Sequence, residues 1–370
     1  MTSRNALPSP PSAAANADFL QGGGELGALI RAKDWSRTPI GSPATWPQSL
    51  RTTVSLCLAS NFPINIIWGP GHTQIYNDGY RDCCGDAHPR ALGEDYRATW
   101  ASAWPAIGDS FERALAGETV FLENQRMFLK RLPGGGLEET FFTFSHSPIR
   151  DESGGLGGLF HPVAETTTPM LAERRTRGLR DLAASLGPAE DEAEVARRTV
   201  EVLSGFEFDL PFLLFYRRDP KSGRYHLAAC HGIEADRRAS PAEMPAEANS
   251  PWPFHDALAT GRIVAVGNVA PLVRDEPCGP YPEPPGQAFV LPVAVAGAAR
   301  PPAVVVAGAS SRLRVDEAYR SFYRLLDVTI ANALATARAR TNAAAPRRLP
   351  RSTVPRPCSS PTSATSSARR

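Results

Sequence analysis

The chain has 370 residues, of which 42% are hydrophobic and 21% charged, as expected for about two globular domains. Its net charge of +2 is unevenly distributed. The last thirty residues hold six Arg and no acidic residue, so the remainder has 34 basic and 38 acidic side chains, a net charge of −4. A weakly acidic body and the lack of about 18 consecutive apolar residues argue against a nucleic-acid partner and against membrane insertion.

The first part of the chain changes pattern several times. Residues 1–17 are rich in Pro, Ser and Ala and lack the apolar core of a signal peptide, which predicts a disordered leader. Apolar residues at helical spacing then predict a helix around 50–58. Ile64–Trp68 and Thr73–Asn77 flank the turn sequence GPGH, which indicates a β-hairpin.

A helical region and three strands follow this hairpin. Trp100, Trp104, Ile107 and Phe111 have the spacing i, i+4, i+7, i+11, which predicts one face of a single helix. Three strands are expected at about 119–131, 138–149 and 156–164, separated by the turn sequences PGGG and DESGG. The order predicts an α+β domain over 18–165, with helices packed on one side of an antiparallel sheet.

A charged helix is predicted over 166–187, with Leu179, Leu182 and Leu186 along one side. A second α+β unit is predicted over 188–340. It has an opening helix, strands near 212–217 and 224–230, a helix near 252–260, a short strand near 263–266 and a hairpin formed by AFVLPVAVA and AVVVAGA. Its last helix has an apolar side with Phe322, Leu325, Leu326, Ile330 and Leu334. Residues 341–370, rich in Pro, Ser and Arg, are predicted to be a disordered tail.

Few residues in the sequence suggest a catalytic, metal-binding or cofactor-binding role. The G-x-G-x-x-G pattern at Gly22, Gly24 and Gly27 has no strand before it, so a flexible entry to a helix explains it better than a dinucleotide site. The seven histidines show no paired metal spacing, so no metal site is expected. Six cysteines without a C-x-x-C pair favour a reducing, cytoplasmic location. Cys230 and Cys278 are the candidates for a thiol-dependent activity.

Five strings between residues 24 and 165 occur in a characteristic order: GALIRAKDWSRTPIGSPATWPQSLRTTVSLCL, FPINIIWGP, IYNDGYR, HPRALG and ETFFTFSHSPIRDESG. They resemble the amino-terminal PAS-like domain of large bacterial hybrid histidine kinases. FLLFYRRDPKSGRYHLAACHGI, DALATGRIVAVGNV, FVLPVAVA and AVVVAGASSRLRVDEAYRSF are similar to the GAF domain that usually follows it. The resemblance implies a PAS-like domain over 18–165, a helical linker over 166–187 and a GAF-like domain over 188–340.

The tail carries a further trace of this resemblance. Reading Ser359 to Arg370 one base out of register permits FFSNVSHEFRTP, a string typical of the phosphoacceptor helix in such kinases. The tail therefore resembles a frame-shifted kinase linker. This chain contains neither that string nor an ATP-binding domain, so we expect no autokinase activity.

The resemblance implies a sensory input module of two-component signal transduction, which passes a signal through its helices to a kinase output missing from this chain. A small-molecule ligand is possible in a PAS cavity, for which the candidate residues are Trp68, Tyr76, Asn77 and Trp104. No tightly bound cofactor and no catalytic residue are expected. The leucine side of the linker helix and the apolar side of the last helix together predict a weak parallel homodimer. The alternative is a small thiol-dependent enzyme on the GAF fold, similar to methionine sulfoxide reductase.

Overall fold

The structure, a computed structural model, describes residues 19–244 and 250–344. The predicted leader at 1–17 and tail residues 345–370 lie outside the described residues. The first unit contains five helices and five strands within the described range: α1 (Gly24–Ala32), α2 (Gln48–Ala59), β1 (Ile64–Trp68), β2 (Thr73–Tyr76), α3 (Asp78–Cys84), α4 (Tyr96–Thr99), α5 (Trp104–Leu115), β3 (Val120–Leu132), β4 (Gly136–Arg150) and β5 (Leu156–Glu165).

The five strands form one antiparallel sheet in the order β2-β1-β5-β4-β3. The predicted hairpin is confirmed, with Asn65 opposite Tyr76 and Trp68 opposite Thr73. The long strands β3 and β4 are joined by a turn in which Gly134 and Gly135 have φ of 75° and 81°, a left-handed conformation that glycine adopts readily. The core of this unit lies between the sheet and helices such as α2 and α5.

The predicted helical face from Trp100 to Phe111 is wrong in one respect, because two separate helices contribute to it. Helix α4 ends at Thr99, Trp100 lies in the following turn, and α5 begins at Trp104. The reason is Pro105, whose ring and missing N–H fit the first turn of a helix but disrupt its interior. Ile107 and Phe111 still face the core from α5.

The second unit starts with a long helix that follows β5 directly. Its elements are α6 (Thr167–Leu186), α7 (Glu192–Leu203), β6 (Leu213–Arg218), β7 (Tyr225–His231), β8 (Glu243–Met244), α8 (Phe254–Thr260), β9 (Val264–Gly267), α9 (Ala270–Val273), β10 (Gln287–Leu291), β11 (Ala303–Ala309) and α10 (Glu317–Ala344). Helix α10 continues four residues beyond the predicted boundary at 340, so 341–344 are helical rather than part of a disordered tail.

The strands of the second unit form an antiparallel sheet in the order β8-β7-β6-β11-β10-β9. Both faces of this sheet are covered. Helices α6, α7 and α10 pack on one face, and α8 with the long loops packs on the other. For this reason every residue of β11 is buried. The predicted α+β class is confirmed: each unit is an antiparallel sheet with flanking helices.

Helices α6 and α10 lie side by side and run in the same direction. Leu171 and Leu179 of α6 lie beside Phe322 of α10, and the later residue Ala183 lies beside Thr336. Leu182 and Leu186, which were predicted to face a partner molecule, are instead buried in the core that α6 shares with α7 and α10. Among the described residues, no helix has the length and apolar character needed to cross a membrane.

Candidate ligand cavity and buried histidine pair

A small cavity lies inside the first unit, between the sheet and the segments around α3, α4 and α5. Its volume is about 30 Å³, which is room for roughly one or two water molecules. Most of its lining is apolar or aromatic. The lining residues are Tyr80, Cys83, Tyr96, Trp100, Ala103, Ile107, Met127, Leu129, Phe142, Phe144, His161 and Val163. The cavity therefore suits a very small, uncharged molecule.

One end of the cavity is polar because two buried histidines meet there. His146 on β4 is 0% exposed and His161 on β5 is 4% exposed. Their rings stack with centroids 4.4 Å apart and planes 23° from parallel. The Tyr96 hydroxyl lies 3.4 Å from His146 Nε2 and 3.3 Å from His161 Nε2, so a single phenol contacts both imidazoles.

The remaining hydrogen bonds decide which ring nitrogens carry protons. His161 Nδ1 lies 2.9 Å from the Ser145 carbonyl oxygen, which can only accept, so His161 Nδ1 is the donor. The Ser110 hydroxyl donates to the Ile107 carbonyl and accepts from His146 Nδ1 at 3.2 Å. Both Nε2 atoms are then acceptors, and Tyr96 shares its one hydroxyl proton between them.

This arrangement fits two neutral imidazoles. Burial, together with a smaller contribution from the neighbouring His161, lowers the pKa of His146 to about 2. Burial also lowers the pKa of His161 to about 4, partly offset by the hydrogen bond to Ser145. A positive charge here would have no acidic partner among the contacts above and would be poorly solvated. The site therefore presents neutral acceptor nitrogens and aromatic edges, and it disfavours charged ligands.

The buried pair predicts a pH dependence of stability. An unfolded histidine has a pKa near 6.5, so below that pH the unfolded chain binds protons that the folded chain excludes. We expect the free energy of unfolding to fall between pH 6.5 and 4.5, by up to about 1.4 kcal/mol per pH unit for each histidine. Chemical denaturation at several pH values measures this slope.

His146→Asn is expected to reduce the slope, whereas the same change at the exposed His255 should leave it unaltered. Equal slopes in the wild type and His146→Asn would contradict neutral burial of this imidazole.

None of the four predicted pocket residues, Trp68, Tyr76, Asn77 and Trp104, lines this cavity. Trp68 lies at the end of β1, where its ring packs against Gly157 and Gly158 of β5; a Cβ at either glycine would come within 3 Å of that ring. The structure thus uses Trp68 as a packing residue at the sheet surface.

Tyr76, Asn77 and Trp104 are equally separate from the cavity. The Tyr76 hydroxyl lies 3.0 Å from His88 Nδ1. Asn77 caps α3 by accepting from the backbone N–H of Tyr80. Trp104 begins α5, with the Arg97 guanidinium 5.5 Å from its ring centroid.

Sequence reasoning missed His146, His161 and Tyr96. A signal was present for the first two. His146 continues the inward alternation of Phe142 and Phe144 on β4, and His161 alternates in the same way with Leu159 and Val163 on β5, so both histidines lie on the buried face.

The cysteine environment weighs against thiol chemistry. Burial raises the pKa of Cys278 to about 11, and it raises the pKa of the half-buried Cys230 as well. The Cys278 thiol contacts the Val273 carbonyl oxygen at 3.7 Å. Since the thiolate is the nucleophile, these environments oppose activation. Within 19–244 and 250–344, no three His, Cys, Asp or Glu side chains are grouped to hold a metal ion.

No protein-family model matches this chain. No curated protein matches it either. Solved structures give a partial likeness. The GAF domain of an Acinetobacter phosphoenolpyruvate-protein phosphotransferase is 17% identical over 45% of this chain and 95% of its own, with a TM-score of 0.34. Free methionine-R-sulfoxide reductase from Neisseria meningitidis, in complex with its substrate, is 20% identical over 46% of this chain and 93% of its own, with a TM-score of 0.34.

The Stigmatella aurantiaca phytochrome photosensory core module is similar over a longer stretch. It is 15% identical over 76% of this chain and 58% of its own, with a TM-score of 0.32.

Proposed function

We propose that this chain is a sensory input module of two-component signal transduction, with a PAS-like first unit and a GAF-like second unit. Its helices would pass a conformational change to a histidine kinase output that the 370 residues do not include. In this proposal the chain has no catalytic step of its own. The observation that carries it is the parallel pair α6 and α10, which connects the first sheet to the C-terminal end of the described chain.

The start of α6 is hydrogen-bonded to β4 of the first sheet. Thr166 N–H donates to the Phe141 carbonyl at 2.8 Å, and Phe141 N–H donates to Thr167 Oγ1 at 3.0 Å. The far end of α6 is fastened to α10, because Arg340 Nη1 donates to the carbonyls of Gly187 and Ala189. A shift of β4 or β5 would therefore be carried along α6 into the last turns of α10, as coupling through a two-state element requires.

The test is a chimera in which residues 1–344 are joined to the dimerisation and catalytic domains of a histidine kinase. Linkers lengthened one residue at a time change the angle at which α10 enters the output. We expect autophosphorylation to rise and fall with a period of about seven residues, the repeat of a continuous coiled coil. Activity independent of linker length would contradict transmission through α10. The unfused chain with ATP is the control and should acquire no phosphate.

We also propose a weak homodimer, formed through the exposed side of α6 and α10 rather than through the buried Leu182 and Leu186. The strip exposed between α6 and α10 consists of uncharged residues, and it is flanked by the exposed charged residues Arg180 of α6 and Arg324 of α10. We call this surface the helix-pair face; it consists of Ala172, Thr176, Leu179, Ala183, Leu325, Val328, Asn332 and Thr336. Leu325 and Val328 are each 53% exposed, and a second copy of the same face would cover them.

Leu325→Asp should weaken this dimer by at least about tenfold, because it places an unpaired charge where apolar surface would be buried. Sedimentation equilibrium over a wide concentration range measures the effect. The matched control is Leu56→Asp, since Leu56 is a 60% exposed leucine on α2 of the first unit. A wild type that stays monomeric at high concentration, or equal weakening by both changes, would contradict this interface.

A further inference from the structure

The two sheets meet at a junction built largely from charged side chains. The hairpin of β3 and β4 reaches the second unit, where the backbone N–H of Glu139 donates to the Arg312 carbonyl at 2.8 Å. Two carboxylates are buried there: Glu139 of the first sheet is 0% exposed and Asp209 of the second unit is 1% exposed. A buried carboxylate is costly unless a positive partner satisfies it.

Arg174 of α6 supplies that partner to both carboxylates. Its Nη1 and Nη2 atoms lie 3.0 Å from the two carboxylate oxygens of Glu139, a bidentate pair, and its Nε donates to Asp209. Burial alone would lower the pKa of Arg174, but the bonds and charges of Glu139 and Asp209 raise it above its ordinary value. One guanidinium, 14% exposed, thus bridges a strand of the first sheet and a loop of the second unit.

Asp209 has a second partner on the side of the second unit. Arg175 Nε lies 2.8 Å from Asp209, and its guanidinium lies 4.0 Å from the ring centroid of Tyr319 at the start of α10. Glu139 has a weaker second partner, because the next nearest cation, Arg126, is 3.6 Å away and 39% exposed. Loss of Arg174 would leave Asp209 paired and Glu139 almost unpaired.

A second arginine reinforces the junction. The Arg312 guanidinium lies between two rings, 4.7 Å from the centroid of Phe128 on β3 and 4.4 Å from that of Tyr281 in the second unit. It also forms a bidentate pair with Glu283 at 3.1 Å. Arg312 contacts both rings without pairing with either buried carboxylate, and Arg314 pairs across the junction with Glu138 but is 59% exposed. Arg174 is therefore the group whose removal breaks the bridge between the two buried carboxylates.

We propose that Arg174 couples the two units, so that the first sheet and the second unit unfold and change conformation as one cooperative body. Separating the units would break the bidentate pair between Glu139 and Arg174, while the side chains around Glu139 would still keep its carboxylate out of water. The partly open state is therefore rare, and a displacement of β4 moves α6 with it. This inference concerns cooperativity and does not depend on the signalling function proposed above.

Scanning calorimetry of the full chain, with amide exchange followed by mass spectrometry, tests the coupling. The wild type should melt in one transition, with the strongly protected amides of both sheets exchanging through the same opening. Arg174→Met should melt in two transitions, the lower one displaced by roughly 10 °C. The matched control is Arg180→Met, which changes an arginine on the same helix that is 71% exposed and should melt as the wild type does.

The double variant Glu139→Gln/Arg174→Met removes the unpaired charge together with its partner. It should fold and still melt in two transitions, so it tests the coupling of the two units even if Arg174→Met alone fails to fold. Two transitions in the wild type would overturn the proposal. So would a single, merely lowered transition in the double variant, because Arg174 would then stabilise the chain without coupling its units.

Discussion

Asn77→Ala should lower the free energy of unfolding by about 4 kcal/mol, because the change leaves several buried backbone groups without hydrogen-bond partners. Asn77 is 1% exposed. Its Nδ2 lies within 3.1 Å of the carbonyls of Cys57, Ser60 and Phe62. Its Oδ1 accepts from the backbone N–H groups of Ile64 and Tyr80. This one side chain thus joins the end of α2, the start of β1 and the start of α3.

Urea denaturation measures the loss, and two further variants define its cause. Asn77→Asp keeps the accepting oxygen but directs a negative charge at three carbonyls, so it should be at least as unstable as Asn77→Ala. Asn61→Ala removes an exposed amide nearby and should change stability by less than about 0.5 kcal/mol. A stable Asn77→Asp would show that the amide donor contributes nothing.

Leu182→Asp should prevent stable folding of the second unit rather than dissociate a dimer. Leu182 is 0% exposed and belongs to the apolar core that α6 shares with α7 and α10. The change removes a buried leucine and introduces a carboxylate without a cation, which together cost more than about 5 kcal/mol.

Ala184→Asp is the matched control, since Ala184 lies two residues later on the same helix, is exposed and is not part of the helix-pair face. Circular dichroism and denaturation should show a native fold for Ala184→Asp and its loss for Leu182→Asp. If Leu182→Asp kept the wild-type melting temperature and became monomeric, the predicted dimer contact through Leu182 would be right.

The fate of Leu182 shows what periodicity can and cannot predict. The spacing of Leu179, Leu182 and Leu186 correctly identified an apolar side of a helix. It carried no information on what covers that side, since α10, which lies more than 130 residues later in the chain, packs there. The uncharged helix-pair face was hidden for the same reason: its two halves lie on two distant helices.

Local sequence determined the strands better than the cavity. INIIW and TQIYN gave the first hairpin because two short strand-forming runs and the glycine turn between them are properties of neighbouring residues. The cavity is formed by side chains spread from Tyr80 to Val163, whose meeting depends on strand order and register. Asn77 was a candidate for that cavity, but its position between a strand and a helix makes it the cap of α3.

The 30 Å³ cavity also determines how the first unit responds to compression. Packing defects disappear when a chain unfolds, so the partial molar volume of the unfolded state is lower and hydrostatic pressure favours it. A void of this size corresponds to about 18 mL/mol, close to the lower end of the volume changes that proteins show. The aromatic side chains around Tyr96 keep this void open. At kilobar pressures we therefore expect water to fill the cavity before the first sheet unfolds.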